Sequence, residues 1–102
     1  MNHKHPEKCS ATELKILGDY WILQIIQELA EGGKRFSELE RSLQKISPTT
    51  LTNRLKKLEK QQIIIKKRET VDKLSVVYSL SKKGNGILPI LREIKVFADT
   101  HL

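Results

Sequence analysis

The sequence predicts a mainly α-helical protein with one small β-hairpin, which is an α+β arrangement. Helical spacing of apolar residues fills most of the first 60 residues, in four segments separated by glycines or capping residues. After residue 62 the pattern changes to two short β-branched segments, and a last helical pattern follows them. The length of 102 residues and the absence of an internal linker predict one domain.

The first two helices are predicted from their capping residues. Ser10-Ala11-Thr12-Glu13 has the form of a capping box, so a short helix begins there, and Gly18 ends it. Asp19 can cap a second helix that runs from Tyr20 to about Ala30. Apolar residues on all sides of this second helix predict a central, buried position.

The third helix is predicted from a second capping box. Ser37-Glu38-Leu39-Glu40 has the required spacing, and the helix should continue to about Leu43. Phe36 stands just before it and is predicted to form a brief extended segment. Leu39 and Leu43 lie four residues apart, so both should face the core.

The fourth helix begins after a short turn. Ser47 suits an N-cap and Pro48 the first helical position, and the helix should run to about Lys60. The third and fourth helices would thus form a helix-turn-helix over about residues 37–61. Three residues at helical spacing form its buried stripe: Leu51, Leu55 and Leu58.

The polar face of the fourth helix has the order expected of a helix that enters a DNA groove. Short polar groups near its start let the backbone approach base edges, where Thr, Asn and Arg form specific contacts. Lysines further along are natural partners of phosphates. A merely solvated amphipathic helix is the alternative interpretation. The candidate DNA-binding residues are Ser47, Pro48, Thr49, Thr50, Thr52, Asn53, Arg54, Lys56 and Lys57.

A basic hairpin follows, which makes the order that of a winged helix-turn-helix. One strand is predicted from Ile63 outward through Arg68, a turn at Val71-Asp72-Lys73, and a return strand over residues 75–80. This wing, about residues 63–80, offers cations to phosphates or the minor groove. Lysines on an edge strand also prevent aggregation, and both roles are open. The candidate wing residues are Lys66, Lys67, Arg68 and Lys73.

The last helix is predicted from a cap at Ser81 and spans about residues 82–100. Gly84, Gly86 and Pro89 weaken its first turns. Its apolar face is broader than a small core needs, which predicts a two-fold dimer interface shared with the first helix. The alternative is a helix packed only on its own core. The candidate dimerisation residues are Leu14, Leu17, Ile87, Leu91, Ile94 and Ala98.

The charge of the chain points to a polyanionic partner. The formal net charge is +7, and residues 34–83 hold 14 cations against five anions. Such clustered cations attract nucleic acid or an anionic surface, although a basic face can also serve solubility alone. No apolar run approaches the roughly 18 residues of a membrane span, and the polar residues 1–8 are expected to form a flexible tail. We therefore expect a cytoplasmic protein with no membrane partner.

Catalytic and metal chemistry find little support. No Gly-rich phosphate loop, nucleophilic triad or paired-carboxylate arrangement is present, so we expect neither an enzyme nor a cofactor. His3 and His5 lack the second ligand cluster of a metal site. Cys9 precedes a helix start, where a thiol pKa can be lowered, so it is the candidate redox-sensing residue. The alternative for Cys9 is a small residue packed near the dimer interface.

A set of segments stands in an order and at a spacing that are typical of one family: Cys9, Leu17-Gly18-Asp19-Tyr20-Trp21, Ile25-Ile26-Gln27-Glu28-Leu29, Arg35-Phe36-Ser37-Glu38-Leu39, Ile46-Ser47-Pro48, Leu51, Arg54-Leu55, Leu58-Glu59, Tyr78-Ser79-Leu80-Ser81 and Gly84. Through these segments the chain resembles the HxlR-type winged helix-turn-helix transcriptional regulators, relatives of the MarR-like repressors, over about residues 9–102. The resemblance implies a homodimer that binds double-stranded DNA at a roughly palindromic operator, with an oxidant or small-molecule effector of unknown identity. Asp19-Tyr20 departs from the Gly-Lys that such regulators usually carry before the tryptophan.

Three functions therefore compete. The first is a sequence-specific transcriptional regulator. The second is a winged-helix adaptor whose basic face docks an acidic protein. The third is a non-specific binder of nucleic acid, including RNA. The chain holds only five aromatic residues, and Trp21 and Phe36 have core-like positions, which disfavours the stacking that single-strand RNA readers use.

Overall fold

The computed structural model describes residues 11–68 and 76–102 and confirms the mainly helical fold with one antiparallel hairpin. The first four helices precede the hairpin and the last two follow it. The elements are α1 (Ala11–Leu17), α2 (Tyr20–Leu29), α3 (Phe36–Leu43), α4 (Pro48–Lys60), β1 (Ile64–Arg68), β2 (Val76–Leu80), α5 (Lys82–Asn85) and α6 (Leu88–His101).

The first two helices agree with their capping signals. The Ser10 end of the predicted capping box lies outside the described residues, and α1 ends at Leu17, just before Gly18. Asp19 is the N-cap of α2, because its Oδ1 accepts a hydrogen bond of 2.9 Å from the Ile22 N–H. A side-chain acceptor there satisfies one of the amide donors that a helix start leaves unpaired.

The start of α3 differs from its prediction. Phe36 is the first helical residue and not an extended one, and Arg35 is the N-cap. The Arg35 N–H donates to Glu38 Oε1 at 2.8 Å, so the reciprocal glutamate is Glu38 and not Glu40. The extended position lies earlier, where Lys34 and Tyr78 form an isolated antiparallel bridge. Glu38 and Glu40 each lie three residues after a possible N-cap, Arg35 or Ser37. The helix starts at the earlier of the two positions, next to the residue that pairs with Tyr78 of β2.

The core forms where α2 crosses α4. Ile22, Ile25 and Ile26 of α2 have no exposed surface, and the leucine stripe of α4 lies against them. Burying a leucine side chain contributes about 1.5–3 kcal/mol, so this stripe fixes which side of α4 remains in water. The buried apolar residues are Ile22, Ile25, Ile26, Leu29, Leu39, Leu43, Ile46, Leu51, Leu55, Leu58, Ile63, Ile64 and Leu91.

The end of α4 and the hairpin are joined by a tight turn. The Ile63 N–H donates to the Leu58 carbonyl at 2.9 Å and the Gln62 N–H to the Glu59 carbonyl at 2.9 Å, which is the Schellman arrangement. Gln62 adopts a φ of 62°, the left-handed conformation that this arrangement requires. The chain then enters β1, whose Ile64 pairs with Leu80 of β2.

The C-terminal helix is broken, so the prediction of one helix over residues 82–100 is wrong. Ser81 does act as the cap, since its Oγ accepts from the Gly84 N–H at 3.0 Å. The short α5 ends at Asn85, and α6 begins at Leu88. Pro89 lies in the first turn of α6. It has no N–H to donate to the preceding turn, and its ring would clash there, so a helix restarts more readily than it continues.

Replacing Gln62 with glycine should stabilise the protein. A non-glycine residue in the left-handed region costs about 1–2 kcal/mol, and glycine removes that cost while adding about 0.5–1 kcal/mol of unfolded-state entropy. We expect Gln62→Gly to raise the free energy of unfolding by about 0.5–1 kcal/mol in urea denaturation. Gln61→Gly is the control, because Gln61 has a φ of −82° and gains no relief. Lower stability for Gln62→Gly would contradict the assignment.

Candidate nucleic-acid interface

The exposed side of α4 carries the short polar residues that the sequence placed there. Thr49 and Asn53 are exposed and lie four residues apart, so they are neighbours on one face of the helix. Ser47 and Pro48 are also exposed, whereas Thr50 and Thr52 are half-buried. This face is small in profile, which allows a helix backbone to come close to a surface such as a groove.

Ser47 and Thr50 are tied to each other at the start of α4. Ser47 Oγ accepts from the Thr50 N–H at 3.1 Å and donates to Thr50 Oγ1 at 2.9 Å. The two hydroxyls therefore stabilise the first turn of the helix. The exposed polar side chains of Thr49 and Asn53 take no part in this cap.

Arg54 is directed into the protein and not outward from α4. Its Nε lies 3.2 Å from both carboxylate oxygens of Asp19, and its Nη2 lies 3.1 Å from Asp19 Oδ2. The guanidinium of Arg54 is thus paired with Asp19, and its predicted role as a reader of bases stays a prediction. The local sequence pattern indicates Asp19 only as a cap, because this contact joins positions 35 residues apart.

The Asp19 carboxylate serves two helices at once. It caps α2 and binds the guanidinium that projects from α4. Burial raises the pKa of this carboxyl, but the hydrogen bond from Ile22 and the charge of Arg54 outweigh burial and hold the pKa below its ordinary value of 3.8. The carboxylate is therefore ionised at neutral pH, and at residue 19 the departure from Gly-Lys supplies both the cap and the partner of Arg54.

The lysines of α4 divide between two sides of the helix. Lys57 and Lys60 line a shallow cavity of about 190 Å³ together with Lys15 of α1. Lys56, one position from Lys57, is exposed but does not line that cavity. Nothing in the sequence pattern singles out Lys15, because only the fold brings the first helix beside the carboxyl end of α4.

The described part of the wing presents its cations to solvent. Lys66, Lys67 and Arg68 are exposed on β1, and Lys73 lies outside the described residues. Lys66 Nζ lies 4.0 Å from Glu59 Oε2 of α4, an exposed pair that contributes little to stability. Burial, and then the charge of Glu59, raise the pKa of the Tyr78 phenol above its ordinary value of 10.0.

The exposed apolar face of α6 differs from the face that was predicted to form a dimer interface. Leu91 is only 8% exposed and belongs to the core of the protomer, so it is not part of an exposed face. Ile90, Ile94 and Phe97 are each more than half exposed and follow one another at helical spacing. Leu14 and Leu17 of α1 are also exposed, whereas Ile87 and Ala98 are half-buried.

The remaining predictions concern the N-terminal tail, metal binding and membrane spans. Cys9 and the tail of residues 1–8 lie outside the described residues. Within the described part of the chain, no three His, Cys, Asp or Glu side chains lie close enough together to hold a metal ion. No helix in residues 11–68 and 76–102 has the length and apolar composition that a membrane span requires.

Comparison with known protein families gives a match over most of the chain. The family model described as HxlR-like helix-turn-helix matches residues 16–102. The chain is similar to the HTH-type transcriptional regulator YvaP of Bacillus subtilis, with 36% identity over 96 residues, which cover 90% of this chain and 87% of YvaP.

Solved structures show the same fold. The reduced form of the transcriptional regulator YodB from B. subtilis superposes with a TM-score of 0.82 at 29% identity, covering 97% of this chain and 95% of YodB. YodB has also been solved in quinone-bound and diamide-treated forms. The redox regulator HypR in its reduced form superposes with a TM-score of 0.78 at 27% identity, covering 87% of this chain and 88% of HypR.

Replacing Asp19 with asparagine should separate the two duties of this residue. Asparagine caps a helix about as well as aspartate, so Asp19→Asn mainly removes the charge that faces Arg54. We expect the free energy of unfolding to fall by about 1 kcal/mol at pH 7 for Asp19→Asn. Asp19→Ala should lose about 1 kcal/mol more, because the cap is lost as well.

The same comparison has a defined pH dependence. Because the folded-state pKa of Asp19 is depressed, its contribution is fully present above the ordinary value of 3.8 and is lost as the pH falls through the lower folded-state value. The stability difference between the parent chain and Asp19→Asn should therefore shrink in acid, as measured by urea denaturation at a series of pH values. A difference that is constant down to pH 2 would show that the Asp19 charge does not matter.

Proposed function

The chain belongs to the HxlR-like helix-turn-helix family, and we propose that it binds a specific DNA operator as a homodimer. It is a transcriptional regulator of the helix-turn-helix type, as are its relatives. The observation that carries the proposal is the exposed face at the amino end of α4. There Thr49 and Asn53 project from a helix whose opposite side is locked into the core.

Direct readout would come from the first turns of α4. Asn53 can form a bidentate contact with adenine, and Thr49 offers a hydroxyl and a methyl group to base edges. Ser47, Pro48, Thr50 and Thr52 lie on or beside this end and would line the contact. Arg54 would act from behind, because its bond to Asp19 braces α4 against α2.

Phosphate contacts would come from lysines on several elements. Lys56 and Lys57 lie beyond the polar end of α4, and the wing adds Lys66, Lys67, Arg68 and Lys73. Each cation that meets a phosphate releases condensed counterions, so affinity should fall steeply as salt rises. Lys15 would extend this basic surface beside Lys57.

A second copy of the chain would cover the exposed apolar residues of α1 and α6. Ile90, Ile94 and Phe97 form a stripe on α6, and Leu14 and Leu17 add apolar surface on α1. Exposed apolar surface of this kind is typical of protein interfaces. A two-fold dimer would present two α4 helices to two half-sites, which matches a roughly palindromic operator.

The effector proposal rests on Cys9 and on the named relatives. YodB has been solved in a quinone-bound form and HypR is named a redox regulator. Cys9 is the only cysteine of the chain, so a response to oxidants or electrophiles would have to pass through it. Such a response would change DNA binding without any cofactor.

The experiment that tests the function is selection from random duplex DNA at near-physiological salt. We expect enrichment of a two-fold symmetric site by the reduced protein. After treatment with diamide, the parent protein should lose that enrichment, and the Cys9→Ser protein should keep it. Binding without any preferred sequence would overturn the regulator proposal and favour an acidic protein partner or non-specific binding.

Substitutions on α4 should separate readout from charge. Thr49→Ala and Asn53→Ala should each weaken binding to the selected site by about 1–3 kcal/mol, and binding to random duplex should hardly change. Lys56→Met is the matched control on the same helix. It should weaken both DNAs and reduce the slope of log affinity against log salt by about 1. Equal losses on both DNAs for Asn53→Ala would contradict base readout.

Substitutions on α6 should test the dimer. Ile94→Asp places a charge in the proposed interface, and sedimentation or light scattering should then give the mass of a monomer. Val96→Asp is the control, because Val96 has the same 51% exposure as Ile94 but lies about 160° away around the helix axis. A dimer mass for Ile94→Asp would exclude this face.

A further inference from the structure

The carboxyl end of α4 is held by the segment that precedes α6. Three successive carbonyls follow the last turn of α4, and each accepts a hydrogen bond from Ser81 or Lys83. Lys83 Nζ donates to the Gln61 carbonyl at 2.8 Å. Ser81 Oγ lies 2.6 Å from the Gln62 carbonyl, and the Ser81 N–H donates to the Ile63 carbonyl at 3.0 Å.

One of these contacts meets a need that the end of α4 creates, because Gln61 is the C-cap of the helix, whereas Gln62 and Ile63 lie in the turn beyond it. The final carbonyls of a helix lack partners within the helix and carry a partial negative charge. Lys83 supplies both a donor and a positive charge at that end. Ser81 supplies two donors while its oxygen still caps α5 by accepting from Gly84. The two helix ends are therefore joined by polar bonds as well as by packing.

Gly84 allows α5 to approach this closely. It is buried, and a Cβ at this position would lie 2.2 Å from the Ile63 carbonyl oxygen. No side chain fits there without moving the turn after α4. The short helix is thus fitted against the backbone of residues 61–63 and leaves little room for relative movement.

The position of this contact gives it a consequence for DNA binding. The middle of α4 is fixed to the start of α2 by the Arg54 bond to Asp19, and its carboxyl end is fixed to α5. From α5 the chain passes through Gly86 and Ile87 into α6, which carries the exposed apolar stripe. The recognition helix is therefore connected to the proposed dimer helix by one short, tightly bonded segment.

We propose that Ser81 and Lys83 are positioning residues for DNA recognition, which hold the carboxyl end of α4 so that its orientation follows α5 and α6. This inference rests on the proposed function. Neither residue needs to touch DNA, and neither was identified among the DNA-binding candidates of the sequence. In a dimer, this brace fixes the relative orientation of the two α4 helices, and that orientation sets how well both half-sites are contacted together.

The test uses two neighbouring lysines of the full-length protein. Lys83→Met removes the bond to the Gln61 carbonyl, and Lys82→Met removes the same charge from an exposed position on the same short helix. Binding is measured on the selected operator, on a single half-site and on random duplex DNA. We expect Lys83→Met to lose about fivefold more operator affinity than Lys82→Met, with equal losses on random DNA. Lys83→Arg, which keeps a donor, should recover most of the loss.

Two results of the binding measurements would overturn the inference. Equal effects of Lys83→Met and Lys82→Met on the operator would mean that Lys83 acts only through its charge. An equal loss on the half-site and on the full operator would mean that the relative orientation of two α4 helices is not involved. A parent chain that selects no operator at all would instead overturn the proposed function, so the two failures are distinguishable.

Hydrogen exchange locates the effect independently of DNA. In Lys83→Met the amides of Gln62 and Ile63 should exchange faster, since the turn after α4 loses its brace, whereas the amides of α2 should be unchanged. Lys82→Met should leave both regions as in the parent chain. Unchanged exchange at residues 62 and 63 in Lys83→Met would show that the bond does not hold the turn. Uniformly faster exchange would indicate general destabilisation, which also overturns a positioning role.

Discussion

The burial of one leucine stripe determines how the rest of the molecule can be used. Leu51, Leu55 and Leu58 of α4 are almost fully buried against α2, and α4 cannot rotate without exposing them. A rotation that exposed even one leucine would cost roughly 1.5–3 kcal/mol, a large share of the stability of a small domain. The hydrophobic core therefore selects the polar face of α4 that remains in solvent. Thr49 and Asn53 owe their exposure to this constraint and not to any feature of their own.

Two polar contacts then refine what packing leaves free. Packing fixes the rotation of α4 about its axis, but it restricts tilt and sliding less strictly. The Asp19 carboxylate ties the middle of α4 to the start of α2 through Arg54, and residues 81 and 83 tie its carboxyl end to α5. In the first contact the Arg54 guanidinium meets the carboxylate that caps α2. In the second the Lys83 ammonium group meets the carbonyl of Gln61 at the end of α4. A DNA reader needs this precision, because base contacts tolerate little displacement.

Local sequence signals predicted most of the elements. They failed at helix boundaries that depend on contacts with another part of the chain. Asp19, Ser47 and Ser81 all cap the helices expected of them, because a cap needs only a side chain and the next three residues. At the start of α3 the sequence pattern points to Ser37 and Glu40, whereas Glu38 forms the reciprocal bond to Arg35, next to the bridge between Lys34 and Tyr78. In the terminal helix Gly86 and Pro89 weaken the helical pattern. Whether the helix breaks there depends on what its two parts pack against.

The sequence by itself determined the order of elements, the buried stripe of α4 and the basic character of the wing, because these follow from periodicity and composition. The resemblance to a family came from the sequence too, through particular segments in a particular order. Only the tertiary structure decided the partner of Arg54, the side of α6 that stays exposed and the convergence of Lys15 with Lys57 and Lys60. Each of these depends on the distance between residues far apart in the chain. Helical periodicity places residues on a face, but only the packing of one helix on another says which face meets which neighbour.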